Sequence, residues 1–483
     1  MGQKEIKEPK IRSVKFNVAM NMILTTSSFL FPLITIPYVS RVLGPSGMGI
    51  VSWMQTLITY FSLVAMLGIT SYGIRTCAEV RDNKEQLSQT TQELVVILIC
   101  STTLVYILYI VALFLIPKTR DNITLAFIFS IGIWLTSCGC DWFYQAIEQY
   151  GYITVRNIAF KIIGLILMFL FVHNVSDYIL YGITIVIGSY GSNILNLLKL
   201  RDFVTFSRKR NLNIKRHIKP MITFTISSIS SGMYVQMDML LSGIFLSNTL
   251  VGVYQMIVKI RGICYTAVNS VGSVILPRIS YYESQSHHSN TKKLIGKNLN
   301  FLFIISFGMM IMLIFCGQPI IQILGGSQYL VGTTALTIAS PIILFSATNN
   351  TLSQYLIASN HEKEYAVVNI CGLILSIIFC CILIPRFGIN GAALGIALCE
   401  FCTLSIRSFI VRDFIKELRE ETDFLRILPA ILITAVSVWY VQRFIQGLNP
   451  FVQLIISGLV FSIIYLSSLI IAREKFILGL LHR

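Results

Sequence analysis

Charge is scarce in this sequence. Only 12% of its 483 residues are Asp, Glu, Lys or Arg, against about 25% in an ordinary soluble chain. That leaves too little polar surface to cover a water-soluble globule of this length. Motifs of nucleotide and metal chemistry are missing as well. No glycine-rich loop ends in Gly-Lys-Ser or Gly-Lys-Thr, which argues against ATP hydrolysis. No His-Glu-x-x-His, calcium loop or paired cysteine motif occurs, so no cofactor is implied. The eleven cysteines are scattered, mostly through apolar segments; the close pairs Cys138 with Cys140 and Cys380 with Cys381 read as small hydrophobes. No polar stretch is long enough to house a catalytic domain, so the chain reads as a non-enzyme.

Apolar sequence is abundant instead. Hydrophobic residues make up 55% of the chain, and the mean hydropathy is +0.74. They come in continuous blocks near the ~20 residues that a helix needs to cross ~30 Å of hydrocarbon. Continuous rather than alternating runs indicate helices, not barrel strands. About fourteen spans follow, near 16–39, 48–72, 94–116, 123–146, 153–172, 178–198, 220–246, 250–276, 298–317, 331–357, 365–384, 391–411, 427–445 and 451–472. The first follows a basic tail (Lys4, Lys7, Lys10, Arg12 and Lys15). It is too long for a signal-peptide core and is expected to stay as a span.

The net charge of +16 is topological in this setting. Of 38 Lys and Arg, 28 fall on one set of alternate connecting segments and only 4 on the other. The positive-inside rule then places both termini in the cytoplasm of a cell-membrane protein with an even number of spans. No nucleic-acid partner is expected. The most basic loop, Lys199 to Lys219, carries Arg208, Lys209, Arg210, Lys215 and Arg216. It reads as an anchor on anionic membrane lipids, with an acidic partner as the alternative.

An internal repeat is visible. Asn17, Asn21 and Thr25 in the first span, and Thr223, Ser227 and Ser231 in the seventh, recur every fourth residue and form one polar face each. Tyr144-Gln145 followed by Asn157-Ile158 is echoed by Gln354-Tyr355 and Asn369-Ile370. The predicted fold is an all-α integral membrane protein with two pseudo-symmetric six-helix lobes, 1–200 and 220–411. A basic cytoplasmic linker, 201–219, joins them, and two further helices lie within 412–483.

Charges inside spans are the informative residues, because each costs at least ~2.5–3.5 kcal/mol at the bilayer centre. They are Asp141, Arg156, Lys161, Asp238, Lys259 and Arg261, with Arg41 and Arg75 at the ends of the first two spans. One reading makes them ion pairs, Asp141 with Lys161 or Arg156 and Asp238 with Lys259. The other lines a wet cavity with them: Lys161 and Lys259 hold an anionic substrate, while Asp141 and Asp238 orient a cation or bind a coupling proton. Arg156 is near enough to the inner end to snorkel. Asn349 and Asn350, with Gln354, are harder to explain by helix packing alone and join the candidate substrate contacts. Pro32, Pro37 and Pro341 are expected to bend their helices.

The stretch Phe31-Pro32-Leu33-Ile34-Thr35-Ile36-Pro37-Tyr38-Val39-Ser40-Arg41-Val42-Leu43-Gly44-Pro45-Ser46-Gly47-Met48-Gly49 resembles the opening signature of bacterial oligosaccharide-lipid flippases. These are the Wzx-type O-antigen and capsular repeat-unit flippases of the multidrug/oligosaccharidyl-lipid/polysaccharide exporter superfamily. Leu67-Gly68-Ile69 with Tyr72-Gly73-Ile74-Arg75 is similar to the end of that family's second span. Asp141-Trp142-Phe143-Tyr144-Gln145-Ala146-Ile147-Glu148 is similar to its fourth, and Phe387-Gly388-Ile389-Asn390-Gly391-Ala392-Ala393 to the start of its twelfth. The resemblance implies a MATE-like fold and an oligosaccharide on undecaprenyl diphosphate as substrate, moved from the inner to the outer leaflet for surface polysaccharide biosynthesis. It also implies alternating access through a central cationic cavity, with Arg41, Arg75, Asp141 and Lys161 on or beside the matching stretches. Proton or sodium coupling, and a polysaccharide polymerase and chain-length regulator as partners, are further implications. The rival readings are a multidrug/cation antiporter of the same superfamily, a membrane glycan polymerase and a lipid II flippase.

Overall fold

The computed structural model describes residues 12–206, 212–269, 278–283, 285, 288–472 and 474. Among them the chain is helical, with no strand. The basic cluster Arg208, Lys209 and Arg210 and the tail cations Lys4, Lys7 and Lys10 lie outside the described residues, as does the side chain of Ser227.

The chain divides into two compact units, 1–236 and 237–483. In the first run α1 (Val14–Ala65), α2 (Ile69–Glu79), α3 (Lys84–Leu115), α4 (Pro117–Arg120), α5 (Ile123–Cys138), α6 (Asp141–Ala146), α7 (Tyr150–Phe171), α8 (Tyr178–Val186), α9 (Ser192–Leu200) and α10 (Lys215–Val235). The second holds α11 (Met237–Phe245), α12 (Asn248–Asn269), α13 (His288–Gly325), α14 (Thr333–Ala339), α15 (Ile342–Ala358), α16 (Glu362–Ile410), α17 (Arg412–Leu418), α18 (Phe424–Ile445) and α19 (Pro450–Ile471). The contacts of α10 lie with α1 and α2, which is why its whole length groups with the first unit.

Nine of the described helices are long and apolar enough to cross a membrane, ten if one bent pair counts as a span. Two of the nine are too long for a single crossing. At 52 residues, α1 would reach about 78 Å if straight, more than twice the hydrocarbon thickness. It breaks at Gly44, whose φ of 64° and ψ of −179° suit glycine, just before Pro45, which has no N–H to donate. The 49-residue α16 breaks likewise at Gly388, φ 59°. Division at these two glycines gives an order consistent with about fourteen spans. The exposed faces fit a lipid surround. On α3, Leu104, Ile107, Leu108, Val111, Phe114 and Leu115 are all at least half exposed, a face that water would not tolerate.

Polar side chains set several helix starts. The Asn83 carboxamide oxygen accepts from the Glu85 and Gln86 N–H groups at 3.1 Å. Asn449 does the same for Phe451 at 3.0 Å, with Pro450 in the first turn. In the first unit the core gathers Trp142, Phe143 and Tyr144 against Ile69, Leu94 and Leu200. In the second, α18 and α19 pack on α13 through Ile304, Ile311, Ile427 and Tyr465, and the Tyr465 hydroxyl donates to the Ile304 carbonyl at 2.8 Å.

The repeat seen in sequence has a backbone counterpart. At the end of α6, Glu148 N–H bonds to the Gln145 carbonyl and Gln149 N–H to that of Tyr144. At the end of α15, Asn360 N–H bonds to Ile357 and His361 N–H to Leu356. Both are Schellman ends with a left-handed non-glycine residue, Glu148 at φ 55° and Asn360 at φ 61°. Asn157 and Asn369 each follow nine residues later.

Gly68 opens α2 at φ 66°, and a Cβ there would lie 2.6 Å from the Phe224 backbone of α10. Gly68→Ala is therefore expected to destabilise the protein by more than the ~1–2 kcal/mol of the left-handed conformation alone. Gly447→Ala, with nothing within 4 Å, should leave the detergent unfolding midpoint in place. Equal midpoints for the two variants would contradict this packing.

Candidate functional site

Two kinds of intramembrane charge separate in the first unit. Lys161 on α7 is half-buried, and its ammonium donates to Ser27 Oγ at 2.9 Å and Ser28 Oγ at 3.0 Å on α1. The Phe31 ring lies 5.9 Å from the charge. No carboxylate stands within ion-pair distance among the described residues. An ammonium has three donors, so two hydroxyls leave one for a further acceptor while neutralising none of the charge. Asn21, Thr25 and Ser28 are exposed on the same N-terminal part of α1. They form a polar face where a lipid-facing span would carry hydrocarbon.

Asp141 belongs to the second kind. Its Oδ1 accepts from the buried Arg156 guanidinium at 2.7 Å and from Asn196 at 2.6 Å. Arg156 also donates to the Ser192 carbonyl, Asn193 and Asn157. Here α6, α7 and α9 meet in a polar cluster that buries Arg156 and leaves Asp141 partly exposed. The partner of Asp141 is thus Arg156, not Lys161. Arg41 donates to the Pro37 carbonyl at 3.1 Å and is exposed. Arg75 is exposed and pairs with Glu79 one turn on at 3.2 Å, a contact worth only about 0.3–0.5 kcal/mol.

The second unit repeats the division. Asp238 is fully buried, takes the Tyr254 hydroxyl at 2.7 Å and pairs with Arg261 at 3.2 Å. Lys259, two residues from Arg261 on α12, is half-buried and has neither hydrogen bond nor ion pair among the described residues. Asn349 is buried between two charges of α16: its amide donates to Glu400 Oε2 at 2.8 Å, and its oxygen accepts from Arg407. Arg407 reaches Asn369 at 3.3 Å. Asn350 donates to Asn269 at 2.7 Å, joining α15 to α12.

Glu400 and Arg407 were not singled out in sequence, although two charges seven residues apart in an apolar run were a readable signal. Glu93 was missed too, and no local pattern marks it. It is fully buried in α3 and accepts from Gln89 at 3.1 Å, the Asn213 N–H at 2.8 Å, Arg216 at 2.6 Å and His217 at 2.8 Å. His217 Nδ1 meets the Tyr72 hydroxyl at 2.7 Å. Burial pushes the imidazole below its ordinary pKa. This fits a neutral ring that donates from Nε2 to Glu93 and accepts from Tyr72. The cluster fastens the start of α10 to α2 and α3.

The fold is that of a multi-pass MATE-type transporter. It matches a lipid II flippase, MurJ, in an inward closed conformation, with a TM-score of 0.72 at 17% identity, covering 93% of this chain and 98% of that one. An inward-facing multidrug resistance MATE family transporter of the MOP superfamily gives 0.62 at 12%, covering 86% and 98%. Residues 14–283 match the family described as Polysaccharide biosynthesis protein, and residues 224–382 match the MatE family. The first match spans more than half of the chain, which belongs to the polysaccharide biosynthesis protein family. A putative O-antigen transporter of Escherichia coli (strain K12) is 23% identical over 407 residues, covering 83% of this chain and 97% of that protein. A probable low-salt glycan biosynthesis flippase, Agl15, of Haloferax volcanii is 25% identical over 235 residues, 48% of this chain and 49% of that one.

The two kinds of charge should respond differently to neutralisation. Asp141→Asn leaves the buried Arg156 without its anion and is expected to cost about 2–3 kcal/mol of stability. Lys161→Gln should stay within about 1 kcal/mol of the parent, because no buried partner loses its counter-charge. Unfolding midpoints in detergent test the contrast, and a larger loss for Lys161→Gln would contradict it.

Proposed function

We propose that this chain carries an oligosaccharide on undecaprenyl diphosphate from the inner to the outer leaflet of the cell membrane, by alternating access along a cationic path. Lys161 is the observation that carries the reading: an intramembrane cation held by hydroxyls, with no carboxylate among the described residues to satisfy it. Lys259 in the second unit likewise has no carboxylate partner among the described residues, and no hydroxyl cradle either. The likeness to putative O-antigen transporters, over about four fifths of this chain and nearly all of theirs, supports the substrate class. Both termini would lie in the cytoplasm, and a polymerase and a chain-length regulator would take the product onward.

The physics is coherent. A diphosphate with about two negative charges cannot cross hydrocarbon unaided, and ammonium groups beside small hydroxyls can replace its hydration. Outward movement of two charges is downhill by roughly 4–5 kcal/mol at 100 mV, inside negative. Proton or sodium exchange could add to that drive. Asp141 and Asp238 remain our candidate carboxylates for that coupling, although Arg156 and Arg261 already pair with them.

The MatE match over 224–382 favours a second reading, a multidrug/cation antiporter. Such a pump needs net acidic character along its path, whereas Lys161 and Lys259 leave unbalanced positive charge.

Flipping of a lipid-linked oligosaccharide in proteoliposomes decides between them. The rate is expected to rise with an outward-driving potential, to need no ATP, and to fall at least about tenfold in Lys161→Gln, a loss of ~1.4 kcal/mol. Transport that requires ATP and ignores potential and ion gradients would defeat the reading. Gain of organic-cation transport in Lys259→Glu without loss of glycan would favour the antiporter.

A further inference from the structure

Glu148 follows α6 in a conformation that costs a non-glycine residue free energy, φ 55°. Glycine would serve the turn better, so the side chain needs a reason of its own. Its two oxygens go to different elements. Oε1 takes the Arg81 guanidinium, from the turn after α2. Oε2 takes the Asn17 amide, on the first turns of α1, at 3.3 Å. Asn17 is 7% exposed, and Glu148 and Arg81 are each about a third exposed.

This contact is the lowest of three that run up α1 and α7 together. Three residues above Asn17, the Met20 carbonyl accepts from Thr154 Oγ1 at 2.9 Å. Seven and eight residues above that, Ser27 and Ser28 hold Lys161. At 1.5 Å per residue, the Glu148 contact lies about 15 Å along the helix from the hydroxyls. Pro32 and Pro37 follow immediately above and weaken the continuity of α1 there. The first turns of α1 are therefore fixed at their foot by Glu148, with the Lys161 cradle one turn below Pro32.

We infer that Glu148 is a positioning residue: by clamping Asn17 and Arg81 it fixes the N-terminal part of α1 against α7, so that Ser27 and Ser28 hold the Lys161 ammonium where an anion can reach it. The inference rests on the proposed transport reading for the role of Lys161, but not for the clamp itself. Asn360, the backbone counterpart in the second unit, carries no charge and has no such clamp in its side chain among the described residues.

The test uses the full-length protein in lipid nanodiscs, with two readouts. The first is amide hydrogen exchange of residues 15–28; the second is affinity for undecaprenyl diphosphate. Glu148→Gln and Arg81→Gln should each speed exchange of that segment and weaken affinity about tenfold. Glu148→Gly relieves the backbone but removes the clamp, and should behave like Glu148→Gln. The charge swap R81E/E148R should restore both readouts, since the Asn17 carboxamide can accept as well as donate. In a Lys161→Gln background Glu148→Gln should lower affinity no further, which a general loss of stability would not reproduce. Parental exchange and affinity in Glu148→Gly would overturn the inference, as would an undiminished effect of Glu148→Gln on the Lys161→Gln background. If the parent binds no diphosphate lipid while exchange still follows the clamp, the transport reading fails and the clamp stands.

Discussion

Everything in this molecule is shaped by the cost of a charge in hydrocarbon. A single Lys, Arg or Asp near the bilayer centre opposes insertion by at least ~2.5–3.5 kcal/mol, so each one kept there must find polar company. Most do so by closing on themselves. Arg156 is taken by Asp141, Arg261 by Asp238, and Arg407 shares the Asn349 carboxamide with Glu400. Each cluster joins neighbouring helices of one unit, and each is electrically near balance. Lys161 and Lys259 depart from this, with no carboxylate partner among the described residues. Their charge is left for something else to balance, and a mobile anion is the simplest candidate.

The same constraint explains where the backbone departs from regularity. A span in lipid must keep its hydrogen bonds internal, so breaks fall between spans or where neighbouring chain covers them. Gly44, Gly68 and Gly388 lie at such breaks, as do Cys140 and Glu148 with their positive φ. The four stretches that resemble flippases all contain or adjoin one of these positions. What the resemblance detects is therefore largely turn chemistry, which depends on residue type more strictly than an apolar run does.

This division also accounts for what could be read without coordinates. The apolar blocks and their order follow from hydropathy, because hydrocarbon thickness fixes their length. The repeat was legible at Asn157 and Asn369, where an asparagine in an apolar run is conspicuous. Pairing was not legible. Nothing local tells Asp141 to choose Arg156 over Lys161, or Asp238 to choose Arg261 over Lys259, since the choice depends on helix rotation. Glu93 escaped because it sits at the edge of its span, where a carboxylate is unremarkable until α10 folds over it. Nothing in the sequence singles out Ser27 and Ser28, and only the approach of Lys161 gives them a role.

The central claim concerns direction and substrate: a lipid-linked oligosaccharide delivered to the outer leaflet. The most direct measurement is the leaflet in which lipid-linked repeat units accumulate when the gene is removed from its host. The account predicts units trapped in the inner leaflet, with surface polysaccharide lost, and recovery when the intact gene is returned. Units that still reach the outer leaflet and remain there unpolymerised would contradict it and point to a polymerase.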